Sequence, residues 1–179
     1  MKLMICLYGN PILRKKGEKI TEITDEIRTL AHEMVETMDA ANGIGLAAQQ
    51  VGKAIRLFVL RRYIDGPDGK WTVSDPIVYI NPKILAVSQE TWVADEGCLS
   101  IPKIHLPVER PLKIKIESTR LDGSHVIEEV EGMNARVILH ENDHINGVLF
   151  IDRVEDQHLR DVEDQLRALK KKSKTTSTD

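Results

Sequence analysis

The stretch MNARVILHENDHING, residues 133–147, decides how the rest of the chain is read. It contains H-E-x-x-H from His140 to His144. On a helix, residues four apart stand one turn above each other, so His140 and His144 face the same side and can grip one metal ion. Glu141 lies about 100° round the helix from His140, within reach of a metal-bound water. Met133, Val137, Ile138 and Leu139 give this helix an apolar flank, and Gly147 can end it. The bland alternative is a solvated helix face carrying two ordinary histidines, and a third ligand elsewhere would argue against it.

A catalytic metal site usually takes three protein ligands and keeps one position open. The extended pattern H-E-x-x-H-x-x-G-x-x-H keeps Gly147 but ends on Phe150, which cannot ligate. Glu163 stands at a possible spacing, among many carboxylates on a charged helix. Cys98 is the stronger candidate, in Asp95-Glu96-Gly97-Cys98-Leu99-Ser100-Ile101-Pro102, where a thiolate can be held rigidly. A buried inert thiol is the competing reading of Cys98.

Composition sets the limits. The chain has 179 residues, enough for one domain with a sizeable core. Its 41% hydrophobic content suits a soluble globular protein, and a net charge of −3 offers no basic field for nucleic acid, so no specific DNA binding is expected. No apolar run is long enough to span a membrane, and the start MKLMICLYGNP is too short in apolar residues for a signal peptide. The cytoplasm is the expected compartment. Cys6 and Cys98 are too few for a disulfide framework and are expected to be free, Cys6 as a small buried hydrophobe.

Residues 1–23 read as irregular, with a turn at Asn10-Pro11. A helix is predicted over 25–42, capped by Thr24, with Ile27, Leu30, Ala31, Met34 and Met38 on its inner stripe and His32 in solvent. The segment Gly43-Ile44-Gly45-Leu46-Ala47-Ala48-Gln49-Gln50 has little side-chain bulk, so backbone can approach a ligand closely; a tight helix-to-strand turn is the alternative. Strands are predicted at 55–61 and at 77–80, the latter ended by Asn81-Pro82, with a long hairpin loop over 62–74. Weaker strands are read at 84–87 and 90–93. Leu112, Ile114 and Ile116 alternate with lysines as a half-buried strand, paired after the Asp122-Gly123 turn with 125–130. A last amphipathic helix is read over 155–172, with Leu159, Val162, Leu166 and Leu169 inward. These elements do not alternate regularly, so the fold class is α+β: antiparallel or mixed short-strand sheets around the central H-E-x-x-H helix, with an N-terminal and a C-terminal helix. Residues 1–172 read as a single catalytic domain and 173–179 as a solvated, disordered tail.

GIGLAAQQ at 43–50, EGCLS at 96–100 and HENDH at 140–144 resemble the three signature motifs of the peptide deformylases, in the same order and at similar spacing. The resemblance runs from Pro11-Ile12-Leu13-Arg14 to the helix after Phe150-Ile151-Asp152, and the helical end resembles the bacterial type. It implies that Cys98, His140 and His144 hold one divalent metal. The family's usual physiological metal is Fe2+, replaceable by Ni2+, Co2+ or Zn2+. Glu141 would be the general base and then the proton donor, as hydroxide on the metal attacks the formyl carbon of N-formylmethionyl nascent peptides. The side-chain amide of Gln50 and the backbone N–H of Leu99 would receive the oxyanion. Gly43, Ile44 and Gly45 would present backbone to an extended substrate. Ile44, Glu96, Met133 and Val137 are candidates for the methionine pocket.

Glu96 and Arg110 could pair across the Cys98 loop, with Asp143 supporting the arginine or staying in solvent. The basic run Lys170-Lys171-Lys172-Ser173-Lys174 allows a ribosome contact through the C-terminal helix, with a solvated helix end as the plainer reading. Three positions depart from the family pattern: Leu139 in place of a common Gln, His105 where Arg is frequent, and Gln49 in place of a frequent Pro.

Overall fold

A computed structural model describes residues 1–176. Its first helix, α1 (Asp25–Ala40), is capped by the Thr24 hydroxyl, which accepts from the Ile27 N–H, and Asp25 and Glu26 favour its first turn. Ala31, Met34 and Met38 are fully buried, as the stripe requires, and His32 is exposed. The helix stops two residues before Asn42, which takes a left-handed φ of 57°.

The small-residue segment that follows is more than a turn. It forms strand β1 (Gly45–Ala47) and a 3-10 turn over Ala48–Val51. Then come β2 (Leu57–Leu60), the short hairpin β3 (Tyr63–Asp65) and β4 (Trp71–Val73), and β5 (Ile77–Val87). A second hairpin, β6 (Thr91–Cys98) and β7 (Ile101–Pro111), precedes β8 (Lys113–Thr119) and β9 (His125–Glu131). The central helix is α2 (Gly132–Ile145).

Strands β1-β2-β5-β8-β9 make one antiparallel sheet in that order. Strand β2 shows how it is packed. Leu57 and Val59 join the α1-side core with Met34 and Met38, while Phe58 and Leu60 join the α2-side core with Ala135 and Ile138. Alternate residues of a strand point to opposite faces, so an all-apolar strand sits between two helices. The α+β expectation holds.

Three readings need correction. Strand β5 runs through Asn81-Pro82 rather than ending there. Asn81 takes φ 49°, the register shifts between Ile80 and Lys83, and the Asn81 amide pairs with both the N–H and the carbonyl of Ile20. A bulge absorbs what the sequence presents as a stop. The sequence reading assigns no element to β7, which carries Pro102, Pro107 and Pro111. In a two-stranded ribbon a proline can face outward without breaking a ladder bond. The single helix expected over 155–172 is two, α3 (Asp156–Asp161) and α4 (Glu163–Thr176), broken at Val162. Leu159, Val162, Leu166 and Leu169 still face inward, onto Leu13, Leu106 and Phe150.

Helix α4 continues past the expected start of the tail: Ser173 is buried, and the backbone of Lys170 lies against Gly9. Of the expected tail, residues 177–179 lie outside the described residues.

Candidate metal centre

Gly132, at φ 68°, turns the chain from β9 into α2. That helix carries His140 and His144 towards the end of β6, where Cys98 stands just before the Leu99-Ser100 turn. The ligand atoms of Cys98, His140 and His144 all lie within 4.8 Å of one another. Cys98 Sγ is 3.4 Å from His144 Nε2. His140 Nδ1 is 2.9 Å from Glu96 Oε1, which fixes the ring and leaves the Nε2 lone pair to face a metal. Phe150, the residue that ends the extended H-E-x-x-H pattern, stacks on His140 with ring centroids 6.0 Å apart. Glu163, the other candidate ligand, instead pairs with Arg167 on α4 at 2.7 Å.

A thiol and two imidazoles converging in a buried place fit a divalent metal. The electrostatics agree. Burial disfavours a charged ring, yet the thiol of Cys98 and the carboxylate of Glu96 push His140 up to about 10. Burial and the neighbouring His140 hold His144 well below its ordinary value. The thiol and the carboxylate thus favour positive charge at His140, whereas burial opposes it at His144.

The centre opens into a cavity of about 530 Å³, within the usual range for small-ligand sites. Cys98, His140 and Glu141 line it, and so do Gln50 and Leu99. Gly43, Ile44 and Gly45 form one wall, and Met133 and Val137 of α2 another. His144 lies beneath, 1% exposed. Glu96 also borders the cavity, but its carboxylate is committed elsewhere. Arg110 forks onto both of its oxygens at 2.8 Å, and Arg136 reaches Oε2 at 2.6 Å. Against the opposing effect of burial, the hydrogen bonds from Arg110 and His140 hold the Glu96 carboxyl well below the usual carboxylate range. Asp143 takes Arg110 at 2.7 Å and Arg153 at 2.6 Å. The Glu96–Arg110 pair and its Asp143 support are thus both present.

Glu141 is 3% exposed, and its Oε2 has no hydrogen-bond partner among the described residues. Burial pushes its carboxyl up to about 7. Gln50 is fixed by its neighbours: the Ala47 N–H donates to Oε1 at 2.9 Å, so Nε2 turns towards Ser100 Oγ at 3.1 Å and Cys98 Sγ at 3.5 Å. That satisfied carbonyl leaves the amide donors facing the thiol.

Sequence reasoning missed Arg136, which is 2% exposed and lines the cavity. The available signal was its place four residues before His140, on the same helix face.

The whole arrangement has relatives. The family model for polypeptide deformylase matches residues 2–160. The chain belongs to the polypeptide deformylase family. It is 44% identical over 150 residues to the peptide deformylase of Thermotoga sp. (strain RQ2), covering 84% of this chain and 85% of that one. With the peptide deformylase of Acinetobacter baumannii (strain SDF) it shares 45% identity over 150 residues, 84% of this chain and 81% of the relative. The crystal structure of a plant peptide deformylase superposes with a TM-score of 0.88 at 37% identity, covering 97% of this chain and 92% of the other. As a member of the polypeptide deformylase family, the chain is an enzyme, a hydrolase of protein biosynthesis. The family match ends within α3, before α4 begins. Leu139, next to His140, packs against the α2-side core. Among the described residues no helix is long and apolar enough to cross a membrane.

Proposed function

We propose that this enzyme removes the formyl group from the N-terminal formylmethionine of newly made polypeptides and releases formate. The observation that carries the reading is the convergence of Cys98, His140 and His144 beside the buried carboxylate of Glu141, at one end of a peptide-sized cavity. Cys98 Sγ and one nitrogen of each histidine would hold the metal. Fe2+ is our choice of physiological metal, with Ni2+, Co2+ or Zn2+ as substitutes. When bound, such an ion lowers the pKa of water and polarises a carbonyl.

The chain's own residues supply the rest. Glu141 accepts a proton from the attacking water and passes it to the leaving amine nitrogen as the formyl C–N bond breaks. A carboxyl raised to about 7 suits both halves of that task. Gln50 Nε2 and the Leu99 N–H donate to the oxygen that becomes negative. Strand β1 is an edge strand of the five-stranded sheet, so an extended substrate can lie along Gly43, Ile44 and Gly45 as an added strand. Ile44, Met133 and Val137 offer the methionine side chain an apolar wall. The chain acts as one catalytic domain that takes in α4 to Thr176, in the cytoplasm, where nascent chains emerge. Lys170, Lys171, Lys172 and Lys174 on α4 offer charge for a ribosomal RNA contact. Loss of low-salt ribosome co-sedimentation on truncation after Leu169 would support that contact, and unchanged co-sedimentation would remove it.

The test of the activity is formate release from a formyl-Met tripeptide by protein prepared without air and loaded separately with Fe2+, Ni2+ or Zn2+. Metal-dependent release supports the reading. No release with any metal, despite tight binding of one ion, overturns it.

A further inference from the structure

The three ligand atoms do not come from one rigid element. Cys98 belongs to the β6–β7 hairpin, whereas His140 and His144 belong to α2. The Glu96–Arg110 pair lies wholly within the hairpin, with one partner on each strand, so it cannot by itself fix the hairpin against the helix. Among the described residues, six side-chain hydrogen bonds cross that junction, and Arg136 makes three of them. It donates to Glu96 Oε2 at 2.6 Å, to the Val108 carbonyl of β7 at 2.8 Å and to the Trp92 carbonyl of β6 at 2.8 Å. Its guanidinium also lies over the Trp92 ring, 4.5 Å from the centroid. Arg136 and His140, four apart on α2, hold opposite oxygens of one carboxylate.

We infer that Arg136 is a positioning residue of the metal centre: it clamps both strands of the β6–β7 hairpin to α2 and, through Glu96, sets how Cys98 and His140 face each other. The inference rests on the proposed metal role of Cys98, His140 and His144. Outer residues that orient ligands are typically worth 10–100-fold in metal affinity. A lysine can reach Glu96 but cannot fork to two carbonyls as well, so rescue by Lys is expected to be partial.

The test uses the full chain with Co2+ as the probe ion, whose visible absorption reports ligand geometry, and a competing chelator to measure affinity. Arg136→Met is expected to weaken Co2+ binding by about tenfold or more and to change the visible band. Arg136→Lys is expected to fall between it and the parent, and KM for a formyl-Met tripeptide to stay within about twofold of the parent value. A core variant of matched thermal stability, such as Phe58→Leu, is expected to leave Co2+ affinity and spectrum unchanged. Unchanged Co2+ affinity in Arg136→Met overturns the inference. So does equal loss of affinity in Phe58→Leu, which would show a merely structural role, and so does a rise in KM alone, which would show a substrate contact. Failure of the underlying reading looks different: Cys98→Ala would then bind Co2+ as tightly as the parent.

Discussion

Gly45 and Glu141 compete for one space. A Cβ on Gly45 would stand 2.6 Å from Glu141 Oε1 and 3.0 Å from its Cγ. The residue must be glycine for the carboxylate to lie where it does, and the two belong to different motifs nearly a hundred residues apart in the chain. Gly45→Ala is therefore expected to displace the carboxylate without disturbing the core. The predicted loss in kcat is about 100-fold, typical of a misplacement on the order of 1 Å, with metal content unchanged. Steady-state kinetics beside metal analysis check this, and parental kcat in Gly45→Ala would contradict it.

Cys98 and Glu163 separate by metal content. Cys98→Ala is predicted to lose the metal and with it the thermal stabilisation that bound metal confers. Glu163→Gln removes only an exposed pair with Arg167 and is predicted to retain full metal. Thermal melts with and without a chelator read both variants. The reverse pattern would make Glu163 the third ligand.

Glu128 gives a pH-dependent prediction remote from the metal. Its carboxylate meets Arg62 at 2.6 Å and Arg120 at 3.0 Å, and the Tyr79 hydroxyl donates to it at 3.1 Å. Burial acts to raise its pKa, but the Arg62 and Arg120 contacts outweigh burial and lower it. A carboxyl whose folded pKa lies below its unfolded value of about 4.3 stabilises the fold above that pH, and the contribution is lost as pH falls through the folded value. Glu128→Gln should cost about 1 kcal/mol at neutral pH, a Tm drop of about 2–4 °C for a chain of this size. The gap between variant and parent should shrink below about pH 4. A gap that stays constant down to acid pH would show that the charge contributes nothing.

His105 covers Gly97. Between the pairs Glu96–Leu106 and Cys98–Ile101, the single residue Gly97 faces the four residues Pro102, Lys103, Ile104 and His105. Lys103 takes a left-handed φ of 66° in that excursion, and a Cβ on Gly97 would stand 2.5 Å from His105 Cδ2. Gly97→Ala should push the His105 ring aside at the cavity rim. KM for formylated peptides should change more than kcat, which a comparison of tripeptides with varied second residues would show. Equal falls in both constants would point instead to a disturbed Cys98.

The site was more legible in the sequence than the strands were. H-E-x-x-H dictates its own geometry through the helix repeat, and Cys98 stands out because few residue types can ligate a metal firmly. The stripe of α1 and the alternation of β8 follow simple periods that packing did not override. What stayed hidden depends on pairing partners distant in sequence. Strand β7 alternates correctly through Ile104, Leu106, Val108 and Arg110, but an arginine occupies a buried place and prolines interrupt the run. Arg110 and Arg136 are buried only because Glu96 and Asp143 meet them, and no local pattern announces that meeting. The break at Val162 leaves the apolar spacing of α3 and α4 intact, so periodicity could not reveal it.

The most direct measurement is formate release by Glu141→Ala, made on protein whose metal content is determined in the same preparation. A full complement of metal is expected, with turnover reduced by at least about 100-fold, since general acid–base catalysis contributes on that scale. Parental turnover in a fully metallated Glu141→Ala would contradict the assignment of Glu141 as the group that moves the proton.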